Sequence, residues 1–166
     1  PILSFTAEEI WQYLPGRRGE SVQCEVWHAL PEVPASAIDW PALLALRAAV
    51  TRELEKLRDT GAIGAPLEAQ VDVWCAPTGY PRLAALGDDL RFLLITSAAR
   101  IHEGAPPPDS VPVAEGVAIR VAPTKAAKCV RCWHRLEDVG LHAGHPELCG
   151  RCVTNVTGAG ETRRYA

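Results

Sequence analysis

Leu43, Leu46, Val50, Leu54 and Leu57 recur at steps of three or four, which predicts an amphipathic helix with one buried stripe. Asp39 stands where it can cap that helix and Gly61 where it can close it. Two other stretches alternate and predict strands. Glu20 to Leu30 places Val22, Cys24, Val26 and His28 on one face, and Leu67 to Cys75 does the same with Ala69, Val71, Val73 and Cys75. Cys24 and Cys75 then read as buried thiols, since neither has a basic neighbour to lower its pKa. A helix from about Pro81 to Arg91 leads into the continuous apolar run Phe92 to Thr96, which suits an interior strand. Val117, Ile119 and Val121 alternate in a last strand that Pro123 ends.

At the start of the chain, Thr6 and Glu9 have the spacing of a capping box, with Phe5 and Ile10 as a hydrophobic staple. The helix they open should run to Leu14, where Pro15-Gly16 stops it. One short helix cannot bury its own Phe5, Ile10, Trp11 and Leu14, so it reads as the last member of a helical bundle whose other members precede Pro1. Pro31 and Pro34 predict a turn or extended link, and Gly104 to Asp109 a short stiff connector.

The strongest chemical signal is Cys129-Val130-Arg131-Cys132 followed, after the sixteen residues Trp133 to Leu148, by Cys149-Gly150-Arg151-Cys152. Each pair can aim two thiolates at one point, and two such turns complete a tetrahedral four-sulfur shell for one Zn2+. Four protein ligands leave no open position, so the ion would be structural and not catalytic. The competing reading is a pair of disulfides, or a redox pair beside an unrelated one. Six cysteines in 166 residues and no apolar signal-like N-terminus favour the metal. His134, His142 and His145 lie between the pairs and are the alternative ligands. The fold class is therefore α+β: a mixed α/β unit with a small sheet and packed helices, plus a small four-cysteine zinc-finger module. The expected division is residues 1–16, 17–124 and 125–166.

A content of 48% apolar residues is enough to fill a core, and no apolar run approaches membrane length. With no Met anywhere, the chain reads as a piece of a longer protein. The net charge of -3 hides an asymmetry, because from Lys125 onward seven basic residues face four acidic ones. A basic zinc module on an acidic body places any polyanion-binding surface at that end. Arg131 and Arg151 lie inside the cysteine pairs, with Lys128 and Arg135 flanking, and such groups suit phosphate contacts. Trp133 either stacks on an unpaired base or covers the metal site as the module's small core, and the second is preferred. Arg163 and Arg164 either extend the contact or belong to a frayed tail.

The stretch Pro1 to Trp11, the stretch Leu86 to Ser97, Lys128 to Trp133 and His145 to Cys152 together resemble the C-terminal end of bacterial isoleucyl-tRNA synthetases. The resemblance implies that residues 1–16 end the anticodon-binding helical domain, that 17–124 form an α/β connecting domain, and that 125–166 form a zinc-binding module contacting tRNA. It further implies the four cysteines as zinc ligands, isoleucine tRNA as partner together with the rest of the synthetase upstream, a cytoplasmic monomer, and no membrane. The parent enzyme would use ATP and Mg2+ to charge its tRNA and would edit valine. The class I motifs His-Ile-Gly-His and Lys-Met-Ser-Lys-Ser are absent, so no catalytic residue is assigned. The rival readings are the zinc finger of a formamidopyrimidine-DNA glycosylase-like repair protein, and a purely structural zinc docking clip.

Overall fold

A computed structural model describes residues 2–32 and 38–163. The chain falls into two compact units, Pro1–Ser36 and Ala37–Ala166. In the first, helix α1 spans Ser4–Tyr13. It starts two residues before the expected cap: Leu3 is its N-cap and no side chain caps it, so Thr6 and Glu9 sit inside the helix. Phe5, Ile10, Tyr13 and Leu14 are exposed.

The strand expected over Glu20 to Leu30 does not form. Ser21 Oγ donates to Glu8 Oε2 at 2.8 Å, the Val22 amide donates to the same oxygen, and the Gln23 amide donates to Ser21 Oγ. These side chains divert the amides into a 3-10 turn, Val22–Cys24, and among the described residues no second strand pairs with residues 25–30. Cys24 is exposed, contrary to the buried thiol expected, whereas Cys75 is fully buried. The turn expected at Pro34 lies outside the described residues.

The second unit opens with α2, Trp40–Asp59, capped by Asp39, whose carboxylate accepts the Ala42 amide at 3.1 Å. Its stripe of Leu43, Leu46, Val50 and Leu54 is buried. Four strands come next: β1 Ala69–Cys75, β2 Ala98–Glu103, β3 Val111–Ala114 and β4 Val117–Pro123, in the order β2-β1-β4-β3. β1 runs parallel to β2 and antiparallel to β4, and β3 and β4 form a hairpin. In the hairpin turn Gly116 has φ +68, and a Cβ there would meet the Ala76 methyl at 3.0 Å, so only glycine suits the position.

Between β1 and β2 lie α3, Tyr80–Ala84, and α4, Leu90–Leu94. The single helix expected is broken, and the strand expected over Phe92 to Thr96 is instead α4 and a reversal at Ile95, φ 58. A short apolar run does not distinguish strand from buried helix. Leu83, Leu86, Leu90 and Leu94 keep the helical step and pack on Val71, Val73 and Ile119. Pairing begins only where the Ser97 amide reaches the Ala69 carbonyl at 2.9 Å. β3 has no counterpart among the expected strands, because Val111–Ala114 is only four residues long and includes Pro112.

The buried members of the main core run from Leu43 to Ile119 and lie on one face of the sheet. The other face carries Gln70, Asp72 and Trp74, with Arg100, His102 and Arg120 beside them. The architecture is mixed helix and small sheet with a separate four-cysteine cluster, as the sequence implied. Among the described residues no helix is long and apolar enough to cross a membrane.

Leu90→Ala is expected to cost roughly 2–5 kcal/mol in denaturant unfolding, because Leu90 is fully buried in this core. Leu44→Ala, on the exposed side of α2, is expected to cost well under ~1 kcal/mol beside it.

Candidate metal centre

After β4 the chain has no regular structure until α5, Gly150–Thr157. It is shaped by a set of turns around the cysteines. The Cys129 amide donates to the His134 carbonyl and the Trp133 amide to the Cys129 carbonyl, each at 2.9 Å. The turn between them needs Trp133 at φ 67. The backbones of Lys128 and Arg135 form a bridge across this knuckle, and the Val130 amide donates to the carbonyl of Glu147, just before the second pair. Cys149 is the N-cap of α5 and Cys152 stands in its first turn. Asp138 accepts the Gly150 amide at 2.7 Å. A Cβ at Gly150 would come within 3.0 Å of that carboxylate and 3.3 Å of His142 Nε2, which is why glycine fits between Cys149 and Arg151.

The four sulfurs of Cys129, Cys132, Cys149 and Cys152 lie within 4.8 Å of one another, and Cys129, Cys149 and Cys152 are fully buried. Cys132 Sγ and Cys149 Sγ are 3.7 Å apart. A sulfur tetrahedron around Zn2+ with the usual bond length has edges of about 3.8 Å. A disulfide would need about 2.0 Å, and all six cysteines are unbridged. The Cys149 amide reaches Cys129 Sγ at 3.4 Å, and Arg131 Nη1 reaches Cys152 Sγ at 3.6 Å. Spacing and donors both fit a structural zinc, and the closed sulfur set leaves no coordination position for a water.

The thiols are unequal. Burial raises Cys129, but amides of Cys132, Cys149 and Arg131 outweigh it and bring the group from 9.0 down to about 6. Burial pushes Cys149 up to about 12, with the adjacent Cys132 sulfur adding to the rise, and burial also raises Cys152. Thiolates this close repel, so they do not all ionise unaided; a dication among them favours the fully deprotonated set.

None of the three histidines joins the cluster. His134 is buried, donates from Nδ1 to the Cys132 carbonyl at 3.2 Å, and is held below the usual imidazole range by burial. His142 faces Asp138 at 3.5 Å. The module's small core is Leu136, Val139 and Leu148 around the sulfurs. Trp133 is not part of it: the residue is 62% exposed and sits in left-handed backbone, so the preferred reading of Trp133 as the module's core is corrected.

The basic candidates divide. Lys128 Nζ lies 5.1 Å over the Trp133 ring, and both are exposed. Arg131 and Arg151 turn toward the sulfurs; Arg151 is raised above the ordinary guanidinium value by Cys132 and Glu161, against the opposing effect of burial. Arg135 pairs with Glu68 at 3.0 Å and Arg151 with Glu161 at 2.9 Å. Arg163 also pairs with Glu161 and lies over the Phe92 ring at 4.5 Å. Arg164 lies outside the described residues. Sequence reading missed Phe92, Ser97, Asp138 and Glu161, which fix the module by polar and ring contacts that leave no periodic signal.

The sequence signature described as the zinc finger found in FPG and IleRS matches residues 127–155. An isoleucine-tRNA ligase of Azotobacter vinelandii is 51% identical over 173 residues, covering 100% of this chain and 18% of that protein. Over its whole length the chain is homologous to the C-terminal part of bacterial isoleucine-tRNA ligases. The corresponding enzyme of Alkalilimnicola ehrlichii is 50% identical, with 100% of the chain and 19% of that protein covered, and that of Pseudomonas aeruginosa is 46% identical. The chain thus spans just under a fifth of the length of these ligases. The finger alone is shared with FPG proteins, but the match to the ligases includes the α/β unit as well, and the glycosylase reading offers no account of those residues.

Cys149 and Cys152 are raised and hold their protons at pH 7, so zinc uptake should release them and affinity should fall as pH falls. Calorimetry in buffers of different ionisation enthalpy would read this as a buffer-dependent heat, and an identical heat in all buffers would contradict it. Chelation should also remove hydrogen-exchange protection over residues 127–155 while β1 keeps its own, because no cysteine ligand belongs to the main core. Simultaneous loss in both would show the two clusters to be one cooperative unit.

Proposed function

We propose that the chain is a noncatalytic, zinc-stabilised, tRNA-binding part of an isoleucine-tRNA ligase. The observation that carries this reading is the match to those ligases across all of its residues. In the intact enzyme, ATP and Mg2+ serve charging and a separate domain edits valine, neither involving residues of this chain. Residues 1–16 end the anticodon-binding domain, 17–124 connect, and 125–166 meet the anticodon side of the tRNA, as a division of roles along the chain. The partners are the upstream synthetase and isoleucine tRNA, and the protein works as a cytoplasmic monomer.

In this reading Cys129, Cys132, Cys149 and Cys152 hold zinc, and Lys128 and Trp133 form the outer contact. An exposed Trp in left-handed backbone gains nothing for the module's core and costs roughly 1–2 kcal/mol, which favours an external use such as stacking on an unpaired base. Arg131, Arg135, Arg151, Arg163 and Arg164 supply positive field and phosphate contacts. The inward engagement of Arg131, Arg135 and Arg151 gives specific support to the second reading, a zinc clip that docks without touching RNA.

Binding to isoleucine tRNA, an unrelated tRNA and duplex DNA over a salt series separates these readings. Preference for the first, with affinity falling steeply as salt rises, is the expected result; no binding to any supports the clip. Trp133→Gly should leave the melting temperature unchanged or raised while weakening tRNA binding about tenfold or more, as loss of one stacked base does. Equal loss of stability and binding would return Trp133 to a structural role.

A further inference from the structure

A cavity of about 390 Å3 opens where the zinc segment meets strands β1 and β2, and four of the side chains lining it are arginines: Arg91, Arg100, Arg135 and Arg151. Sequence spacing carries no hint of this, since the four come from α4, β2, the first knuckle and α5. The facing carboxylates are fewer. Glu137 is 89% exposed and lies 3.8 Å from Arg100, whereas Asp88, 75% exposed, is held by Arg91. Asp138 engages the Gly150 amide and His142 through Oδ2 alone, and its buried Oδ1 has no hydrogen-bond partner.

The four guanidiniums are not equally spent. Arg135 and Arg151 hold Glu68 and Glu161 at 3.0 and 2.9 Å. Arg91 is almost fully buried and pairs with Asp88 at 2.7 Å, yet its buried Nε has no hydrogen-bond partner. Arg100 is the least engaged: its partners are the neutral Gln70 amide oxygen at 3.1 Å and Glu137 at 3.8 Å, beyond hydrogen-bond distance. A partly desolvated guanidinium with no carboxylate at hydrogen-bond distance, as at Arg100, forms strong charge-assisted bonds to an anion with several oxygens. The volume exceeds that of a bare inorganic anion and lies in the range of sites that take a small organic group.

We infer that this cavity binds a phosphodiester of single-stranded RNA, with Arg100 as its principal ligand and Arg91, Arg135 and Arg151 supplying field. Neither Arg91 nor Arg100 belongs to the zinc segment, so the site extends the RNA surface onto the sheet. The inference deepens the tRNA reading and rests on it for the source of the RNA.

The test uses the zinc-loaded chain with two probes, isoleucine tRNA and pentauridylate, and three variants. Arg100→Gln keeps a polar group at an exposed position and should weaken both probes about tenfold while lowering the salt slope by about one. Glu137→Gln removes the carboxylate facing Arg100 and should tighten both several-fold, a gain that misfolding cannot produce. Trp133→Gly should weaken tRNA about tenfold through loss of the stacking ring, independently of the cavity. Pentauridylate that fails to bind, or that ignores both Arg100→Gln and Glu137→Gln, overturns the cavity. If tRNA still responds to Trp133→Gly in that case, the tRNA reading stands without it. If pentauridylate responds to both substitutions but tRNA does not bind, the cavity stands and the tRNA reading falls. Displacement of pentauridylate by polyglutamate at equal charge concentration would show a general anion site and overturn the RNA assignment.

Discussion

Mutual repulsion among four sulfurs confined within 4.8 Å is the constraint on which the end of this chain depends. The segment has only Leu136, Val139 and Leu148 as half-buried aliphatic groups around them, far too little apolar surface to offset the entropy of fixing some thirty residues. A dication turns that repulsion into attraction, and the binding energy of structural zinc, about 10–16 kcal/mol, then acts as folding energy. Every local feature serves that convergence: the left-handed Trp133, the Asp138 cap on α5, the glycine that lets Asp138 and His142 approach.

The module is not merely adjacent to the sheet. Arg135 donates its amide to Ser97 Oγ at 2.7 Å and its guanidinium to Glu68. Those two residues also frame the start of β1 and β2: the Thr124 amide reaches the Glu68 carbonyl, and Ser97 Oγ reaches the Leu67 carbonyl. Phe92, in α4, meets the His134 ring edge and the Arg91, Arg151 and Arg163 guanidiniums. The joint is therefore polar and cationic around one aromatic ring. Such contacts are directional, so they set the angle at which the module is presented more than they add stability.

Legibility in the sequence tracked the physics of each part. The cysteine set was readable because ligand spacing is local and its chemistry narrow. α2 was readable because a long stripe and a capping Asp agree with each other, as was β1. Phe92 to Thr96 was misread because hydrophobicity alone says buried, not how, and the Leu83-Leu86-Leu90-Leu94 step that decides it runs across two broken helices. Residues 20–30 alternate as a strand would, but alternation is satisfied only where a neighbour offers hydrogen bonds, and there Glu8 and Ser21 offer them instead. The cavity arginines were invisible for the opposite reason, since they are scattered in sequence and converge only through the fold.

Charge balance around the metal also limits how the module can meet a polyanion. A four-thiolate zinc centre carries two negative charges, and Arg131 and Arg151 turn inward upon it. Their field is partly spent before any RNA arrives, so counting basic residues after Lys125 overstates the outward potential. Cations that face outward among the described residues include Lys125, Lys128 beside Trp133 on the knuckle, and Arg100 on the sheet, whose nearest carboxylate, Glu137, is 3.8 Å away. A binding surface that pairs one stacking aromatic with a few uncommitted cations, set apart on rigid elements, reads the shape of a strand better than a diffuse basic patch does, because each contact must be met at its own position.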